Sequence, residues 1–191
     1  MTNAFSKIWI IGLLAAVLAG GFFAWQWFGA PEKEAEDETA DWNTYRSEQY
    51  GVEFRYPEHY INSGFASDKT PELIILSSPS SKIDSCFYSP YPDYPKWGIE
   101  NNKGIIKLNN IEFCLTEAAE AGMGSVFRTY YYTTKKEGNY FVVKFETSMV
   151  GSCDNYSDMA KQNNCKEFHK NINGVIKKPI EKILSTFRFL E

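Results

Sequence analysis

The chain has 191 residues, of which 43% are hydrophobic and 23% are charged. These proportions are typical of a folded protein of about one domain and exclude a disordered chain. The net charge of -4 argues against a general nucleic-acid binder, and two histidines exclude a histidine-rich metal site. An aromatic content of 16% favours β structure.

The first feature along the chain is an apolar run from Ile8 to Phe28, which contains no charged side chain. As a helix, this run would span about 31 Å, close to the thickness of a bilayer core. Trp9 lies near one end, and Trp25 and Trp27 lie near the other, where interfacial aromatic residues belong. We therefore expect a transmembrane anchor at residues 8–28.

The flanking charges predict the orientation of this anchor. Lys7 and the amino terminus precede it, and an acidic run follows it. The positive-inside rule then places residues 1–7 in the cytoplasm. We expect a single-pass protein of the cytoplasmic membrane with its C-terminal domain outside, in the periplasm or the extracellular space. A cleaved signal peptide ending at Ala19 is the alternative, but cleavage there would leave exposed aromatic residues on the mature chain.

Residues 29–41 read as an acidic linker, since 31–41 hold six acidic side chains and one basic side chain. Such a segment cannot bury a core and stays solvated. We interpret it as a spacer, with a calcium- or partner-binding role as the alternative. Residues 42–191 then carry 18 acidic and 18 basic side chains, so this domain has no bias towards polyanions.

The start of the domain predicts two strands. Residues Tyr50 to Tyr56 alternate apolar and polar side chains, and Pro57 ends the run because it cannot donate to a sheet. The segment Leu73–Ser77, which is apolar up to Leu76, indicates a more buried strand.

Two hairpins follow. Asn109 and Asn110 separate the apolar runs 105–108 and 111–115, and asparagine tolerates the positive φ of a tight turn. The second hairpin joins 126–134 to 140–147 through a longer loop.

On the return strand of the second hairpin, alternation predicts which side chains are buried. Phe141, Val143 and Phe145 share one face, which we expect to be the core face. Lys144 and Glu146 share the other face, which we expect to be in water.

The end of the domain is predicted to be helical and then extended. Asn173 can cap a helix that ends near Leu184, or Pro179 can be the first-turn residue of a helix that begins near Lys177. One apolar stripe runs along this segment: Val175, Ile176, Ile180, Ile183 and Leu184. Residues 185–190 read as a closing strand, and further helix is expected within 61–72 or 155–170. The fold class is therefore α+β, a largely antiparallel sheet flanked by helices.

The two ends of the domain resemble PsbP-like domains. The opening Y-G-V-E-F-R-Y-P at 50–57 is similar to their G-F-x-F-x-Y-P strand. The ending I-L-S-T-F-R-F at 183–189 is similar to their I-L-x-S-F helix and strand. Tyr60, where that family usually has Trp, and the cysteine-bearing insert at 151–170 depart from the pattern. The resemblance implies the PsbP/Mog1-like fold, a sheet with helices on both faces, in a group that mostly binds partners rather than catalyses.

The four cysteines are expected to form two disulfides, because they lie outside the cytosol in the predicted topology. We favour Cys153–Cys165, which closes a polar loop, and this leaves Cys86–Cys114. A zinc site that uses Cys165 and His169 is the alternative, although the C-x-x-C pair common in such sites is missing.

The most unusual stretch is 86–97, in which Tyr88, Tyr91, Tyr94 and Trp97 recur at every third residue among three prolines. In an extended helix with three residues per turn, these rings would line one face and grip a partner. The alternative is a long loop whose rings pack on the sheet.

These patterns indicate a membrane-anchored, extracytoplasmic, non-enzymatic binding or assembly module. We expect a protein or cell-envelope partner, no nucleic acid, no cofactor and no metal, and we predict no catalytic residue. The alternatives are a small-ligand carrier or sensor with a pocket between sheet and helix, and an unrecognised hydrolase built around His59 or His169. The oligomeric state stays open.

Overall fold

The computed structural model describes residues 38–78, 80–89 and 102–190. The predicted anchor and most of the acidic linker lie outside these residues. Among the described residues, no helix has the length and apolar character that a membrane crossing requires.

Strands form most of the described structure. In chain order they are β1 (Asn43–Ser47), β2 (Val52–Tyr56), β3 (Ala66–Asp68), β4 (Glu72–Ser77), β5 (Ile83–Asp84), β6 (Phe87–Tyr88), β7 (Asn102–Leu108), β8 (Ile111–Gly122), β9 (Ser125–Lys136), β10 (Asn139–Val150) and β11 (Arg188–Phe189). The helical elements are a 3-10 turn (Cys153–Asn155), α1 (Met159–Lys170), a π-helical turn (Asn173–Lys177) and α2 (Lys178–Leu184).

The main sheet has six strands, and every pairing in it is antiparallel. Its central path runs β3-β10-β9-β8-β7. Strand β4 pairs with residues 139–144 of β10, and β3 pairs with residues 147–149 of the same strand. The expectation of an α+β protein with a largely antiparallel sheet is confirmed.

Tight turns connect the long strands. Asn109 and Asn110 both have positive φ, as predicted for the first hairpin. Met123 and Gly124 form the turn between β8 and β9 with the same sign of φ. The expected longer loop at 135–139 is wrong, because Lys135 and Lys136 continue β9 and only Glu137 and Gly138 turn.

A small sheet joins the two ends of the domain. Strand β2 pairs with β1 on one side and with β11 on the other. The Arg55 N–H donates to Thr186 Oγ1 at 2.7 Å, and the rings of Phe54 and Phe187 stack with centroids 6.2 Å apart. The opening and closing motifs are therefore neighbours in space.

The helical segment differs in part from its prediction. Pro179 occupies the first turn of α2, as one alternative expects. Asn173 is not an N-cap but the first residue of the π-helical turn, where no side-chain cap forms. The apolar stripe is correct, since Ile176, Ile180 and Ile183 are fully buried.

The main core lies between these helices and one face of the sheet. Phe141, Val143 and Phe145 belong to it, as predicted. Burial of each such side chain contributes about 1.5–3 kcal/mol of transfer free energy. We call this face the helix face.

One buried carboxylate lies on the helix face. Glu117 of β8 is paired with Arg128 of β9, and its Oε2 is 3.0 Å from Lys177 Nζ. Both cations keep partial contact with water, while the carboxylate is almost fully buried. Removal of Arg128 or Lys177 would leave the buried carboxylate of Glu117 with one of its two partner charges missing.

Candidate functional site

The second face of the main sheet is covered along only part of its length. A short ribbon of β5 and β6 packs there over a small cluster of Tyr88, Tyr131 and Val142. The Cys86–Cys114 disulfide fastens this ribbon to β8, with Cα atoms 5.8 Å apart. Among the described residues, this face is covered by the ribbon rather than by a helix. We call it the ribbon face.

Beyond the ribbon, the ribbon face opens into a groove of about 310 Å³. We call it the sheet groove, and strand pairing builds it in rows. One row sets Glu120, Phe127, Ser148 and Ser67 side by side across four strands. At one end of this row, the hydroxyl groups of Ser67 and Ser148 form a hydrogen bond, with their Oγ atoms 2.8 Å apart.

The next two rows supply the floor and the charges. Ala118, Thr129 and Glu146 are cross-strand neighbours, and Tyr131 lies opposite Lys144. Tyr131 is buried in the floor, whereas Phe127 is 48% exposed. The groove therefore combines buried apolar side chains with one large, accessible aromatic ring.

Ion pairs form one chain along the β10 side of the groove. Lys144 Nζ is 3.1 Å from Glu72 Oε2 and 2.7 Å from Glu146 Oε1. Lys69 Nζ is 2.6 Å from Glu146 Oε2. The four charges cancel, so this edge attracts neither polyanions nor polycations.

The same contacts fix the protonation of the two central groups. Partial burial opposes the charge on Lys144, but the hydrogen bonds to Glu146 and Glu72 and the attraction of both carboxylates outweigh it, so its pKa is raised. The hydrogen bonds that Lys144 and Lys69 donate lower the pKa of Glu146. At neutral pH, Lys144 is therefore a poor nucleophile and Glu146 a poor general acid.

Both expected disulfides are present. Cys153–Cys165 joins the 3-10 turn to α1 with Cα atoms 5.6 Å apart, and no cysteine of the described residues is free. With both cysteines oxidised, neither supplies a thiolate for the zinc alternative.

Of the residues predicted to line an aromatic face, one lies among the described residues. Tyr88 is buried, and its ring centroid is 4.8 Å from that of Tyr131. Its ring packs on the sheet and is not open to a partner. Tyr91, Tyr94 and Trp97 lie outside the described residues, as do the membrane-interface residues Trp9, Trp25 and Trp27.

The two histidines occupy unlike surroundings. His59 is exposed, and its Nδ1 is 3.6 Å from Asp68 Oδ1. Asp68 Oδ2 also accepts the Tyr60 N–H at 2.7 Å, so this carboxylate holds the chain after Pro57 in place.

His169 lies on α1 beside the Cys153–Cys165 disulfide. Its Nε2 is buried and has no hydrogen-bond partner within the described part of the chain. A buried polar atom left unpaired costs about 1–3 kcal/mol.

Sequence reasoning missed the sheet groove. It assigned Lys144 and Glu146 to the face away from the core, which is correct, but both side chains are partly buried there rather than fully in water. It had no means to place Phe127 and Ala118 beside them, because this depends on the register of three strands. One pattern in the sequence could have pointed to the groove: both faces of β9 carry aromatic side chains. Phe127 and Tyr131 lie on one face, and Tyr130 and Tyr132 lie on the other.

Comparisons with known proteins add little to this geometry. The chain matches no family model and no curated protein. Two chains of solved structures match it. One is the crystal structure of a protein from Bacteroides thetaiotaomicron VPI-5482, with 10% identity and a TM-score of 0.35 over 79% of this chain. This chain spans 42% of the length of that protein.

Proposed function

We propose that this chain is a membrane-anchored, extracytoplasmic, PsbP-like module that binds a protein partner and is not an enzyme. In this proposal residues 8–28 hold it in the cytoplasmic membrane, and the sheet groove takes the partner. The observation that carries the proposal is the half-exposed ring of Phe127 in a groove whose ion pairs neutralise one another.

The groove has the anatomy of a protein interface. Interfaces set a few large aromatic anchors at an apolar centre, surrounded by a polar rim that excludes water. In this proposal Phe127 is the anchor, Ala118 and Tyr131 form the floor, and Lys69 and Glu146 form the charged rim. We commit to a partner that presents an apolar side chain to Phe127.

The protonation of the groove supports a role in binding over one in catalysis. Lys144 stays charged and Glu146 stays ionised near neutral pH, for the reasons given above. Neither group is poised to exchange a proton with a substrate there.

The placement of the two terminal motifs supports the PsbP-like assignment. The 50–57 motif contributes β2, and the 183–189 motif contributes the end of α2 and β11. These elements pair in one small sheet. Motifs that lie 130 residues apart in the chain therefore form one structural unit, as a shared fold signature would require.

A small-ligand carrier is the second candidate, and the size of the groove favours it. A volume of about 310 Å³ lies at the lower end of the range of ligand pockets. The groove is on the ribbon face, however, and not between sheet and helix, where the sequence-based hypothesis places the pocket.

Site-specific photo-crosslinking of the full chain in its membrane tests the proposal. A benzophenone-bearing phenylalanine analogue replaces Phe127 in one sample and Ile105 in a matched control. Ile105 is also an exposed apolar side chain, but it does not line the groove. We expect a discrete protein adduct at position 127 and none at position 105.

Binding of the crosslinked partner, once purified, gives the decisive measurement. An interface anchor is worth about 2 kcal/mol, so Phe127→Ala should weaken the affinity about 30-fold, while Ile105→Ala should not change it. Equal binding by both variants would refute the groove as the site. Loss of binding only in a Tyr91, Tyr94 and Trp97 triple-alanine variant would move the site to the 86–97 stretch. An organic ligand that survives gentle purification and is lost in Phe127→Ala would favour the carrier.

A further inference from the structure

Three side chains with metal-binding atoms converge where the 3-10 turn meets α1. Cys165 and His169 are four residues apart and therefore share one face of α1. Cys153 reaches the same point from the turn. The two sulfur atoms and a ring nitrogen of His169 lie within 4.8 Å of one another. Within the described ranges, this is the one group of three or more such residues close enough to hold an ion.

The surroundings of these three side chains suit a bound metal ion. Cys165 is fully buried and Cys153 nearly so. His169 Nε2 is buried and finds no hydrogen-bond partner among the described residues. In zinc sites one ring nitrogen of the histidine binds the ion, and the N–H of the other donates to a neighbouring group. His169 Nε2, which is unpaired within the described part of the chain, is therefore available for either role.

We propose that reduction of the Cys153–Cys165 disulfide creates a Cys2His site for a thiophilic d10 cation, Zn²⁺ or Cu⁺. A dithiol reductant gives two electrons and two protons to the S–S bond and becomes a disulfide itself. The two thiols formed then lose their protons to solvent as their thiolates bind the cation, and the neutral imidazole of His169 supplies the third ligand. Cu⁺ accepts three ligands, whereas Zn²⁺ adds a water as its fourth.

Contacts other than the S–S bond also join the turn to the helix or hold the helix in place. Asp154 Oδ1 accepts a hydrogen bond from Gln162 Nε2 at 3.2 Å and lies 3.5 Å from Lys166 Nζ. Phe168 anchors α1 in the main core. Asp158 caps the start of the helix by accepting the N–H groups of Ala160 and Lys161. We expect these contacts to keep the three ligands near one another in the reduced chain.

Metal titration of the reduced full chain tests this site. The chain is reduced with dithiothreitol, which is removed by gel filtration under argon before Co²⁺ is added as a spectroscopic substitute for Zn²⁺. A variant with Cys86→Ala and Cys114→Ala removes the other two thiols. We expect one Co²⁺ per chain, with a sulfur-to-cobalt charge-transfer band, in both proteins. Zn²⁺ should displace it, and a Cu⁺ titration against a competing chelator then identifies the preferred cation.

The variant His169→Gln distinguishes a site with three ligands from metal binding by the two cysteines alone. Loss of a neighbour that merely orients a ligand costs 10- to 100-fold in metal affinity, so loss of a direct ligand should cost about 100-fold or more. Equal affinity in His169→Gln, equal binding by the oxidised chain, or no binding by the reduced chain would each overturn the proposal. Circular dichroism tests whether the reduced chain keeps its helices. A reduced chain that loses helix and does not regain it with metal also refutes the site.

Discussion

The two faces of the main sheet bury their side chains to very different extents. On the helix face, Phe113, Tyr130, Tyr132 and Phe145 are almost fully buried against the isoleucines of the helical segment. On the ribbon face, the buried cluster consists of Tyr88, Tyr131 and Val142, and the remaining surface is the open sheet groove. The same three long strands supply both faces, since successive residues alternate between them.

The difference suggests a division of roles: the helix face stabilises the fold, and the ribbon face carries the proposed binding surface. Burial of aromatic side chains on the helix face stabilises the sheet. The ribbon face can therefore carry an exposed ring and a row of charged side chains while the fold stays stable. The comparison predicts that substitutions of equal size will have unequal effects on the two faces. Free energies of unfolding of matched variants measure this directly.

The largest contrast is expected between two phenylalanines of neighbouring strands. Phe145 is 0% exposed, and its ring meets those of Tyr60 and Tyr132 edge-on. Phe145→Ala should lower the free energy of unfolding by about 3–5 kcal/mol, because it removes buried surface and leaves a cavity. Phe127→Ala should lower it by less than about 1 kcal/mol. Urea unfolding of both variants checks this, and similar losses would mean that Phe127 is a core residue and not a binding residue.

Removal of either disulfide gives the next largest expected effect on stability. Chain entropy assigns about 3.5 kcal/mol to Cys86–Cys114, which spans 28 residues, and about 3 kcal/mol to Cys153–Cys165, which spans 12. Replacement of each pair by alanine should therefore cost similar stability. Urea unfolding of the two double variants measures these losses.

The local consequences of the two replacements should differ. The ribbon has strands of two residues and depends on its disulfide, whereas α1 is also held by Phe168. Hydrogen exchange should show lost protection at Ile83 and Tyr88 in the first variant and retained protection in α1 in the second. Equal loss of protection in α1 would contradict both this contrast and the pre-shaped metal site.

Local sequence signals predicted much of the fold. The Asn109–Asn110 turn, the strand before Pro57 and the buried face of β10 all depend on neighbouring residues, and the structure confirms them. The 135–139 loop prediction is wrong because two lysines look like loop residues. In the structure, Lys135 and Lys136 lie over the rings of Tyr140 and Phe189 instead.

Features that depend on long-range register were beyond the sequence. Helix α1 is polar and buries only Cys165 and Phe168, so its periodicity is weak, and the sequence could only name 155–170 as one of two options. The sheet groove needs residues from β8, β9 and β10 in one row. Two tight turns set that register, at Met123–Gly124 and at Glu137–Gly138, and the second was predicted as a longer loop. The disulfide pairing could be predicted from the sequence. The polar loop between Cys153 and Cys165 favours a bond between them, which leaves Cys86 to pair with Cys114.

The smallest expected effect concerns the ion pairs of the groove and depends on pH. The folded state lowers the pKa of Glu146, chiefly through the hydrogen bonds from Lys144 and Lys69. Its contribution to stability is therefore full above the ordinary carboxyl pKa of about 4.3 and is lost as the pH falls through the lower folded value. Since the pKa of Lys144 is raised, the lysine stays charged over this whole range.

Glu146→Gln isolates this contribution from that of every other carboxylate. At pH 7 the variant should be less stable than the parent chain by less than about 1 kcal/mol, as is usual for partly exposed ion pairs. The difference should shrink as the pH falls below about 4.3 and through the lower folded pKa of Glu146, because the parent glutamate then becomes protonated. It should also shrink at high salt, which screens the ion pairs. Urea unfolding of both proteins across this pH range checks it. A difference that stays constant would mean that Glu146 acts through packing alone, and the groove would then lack the charged rim on which the proposed interface depends.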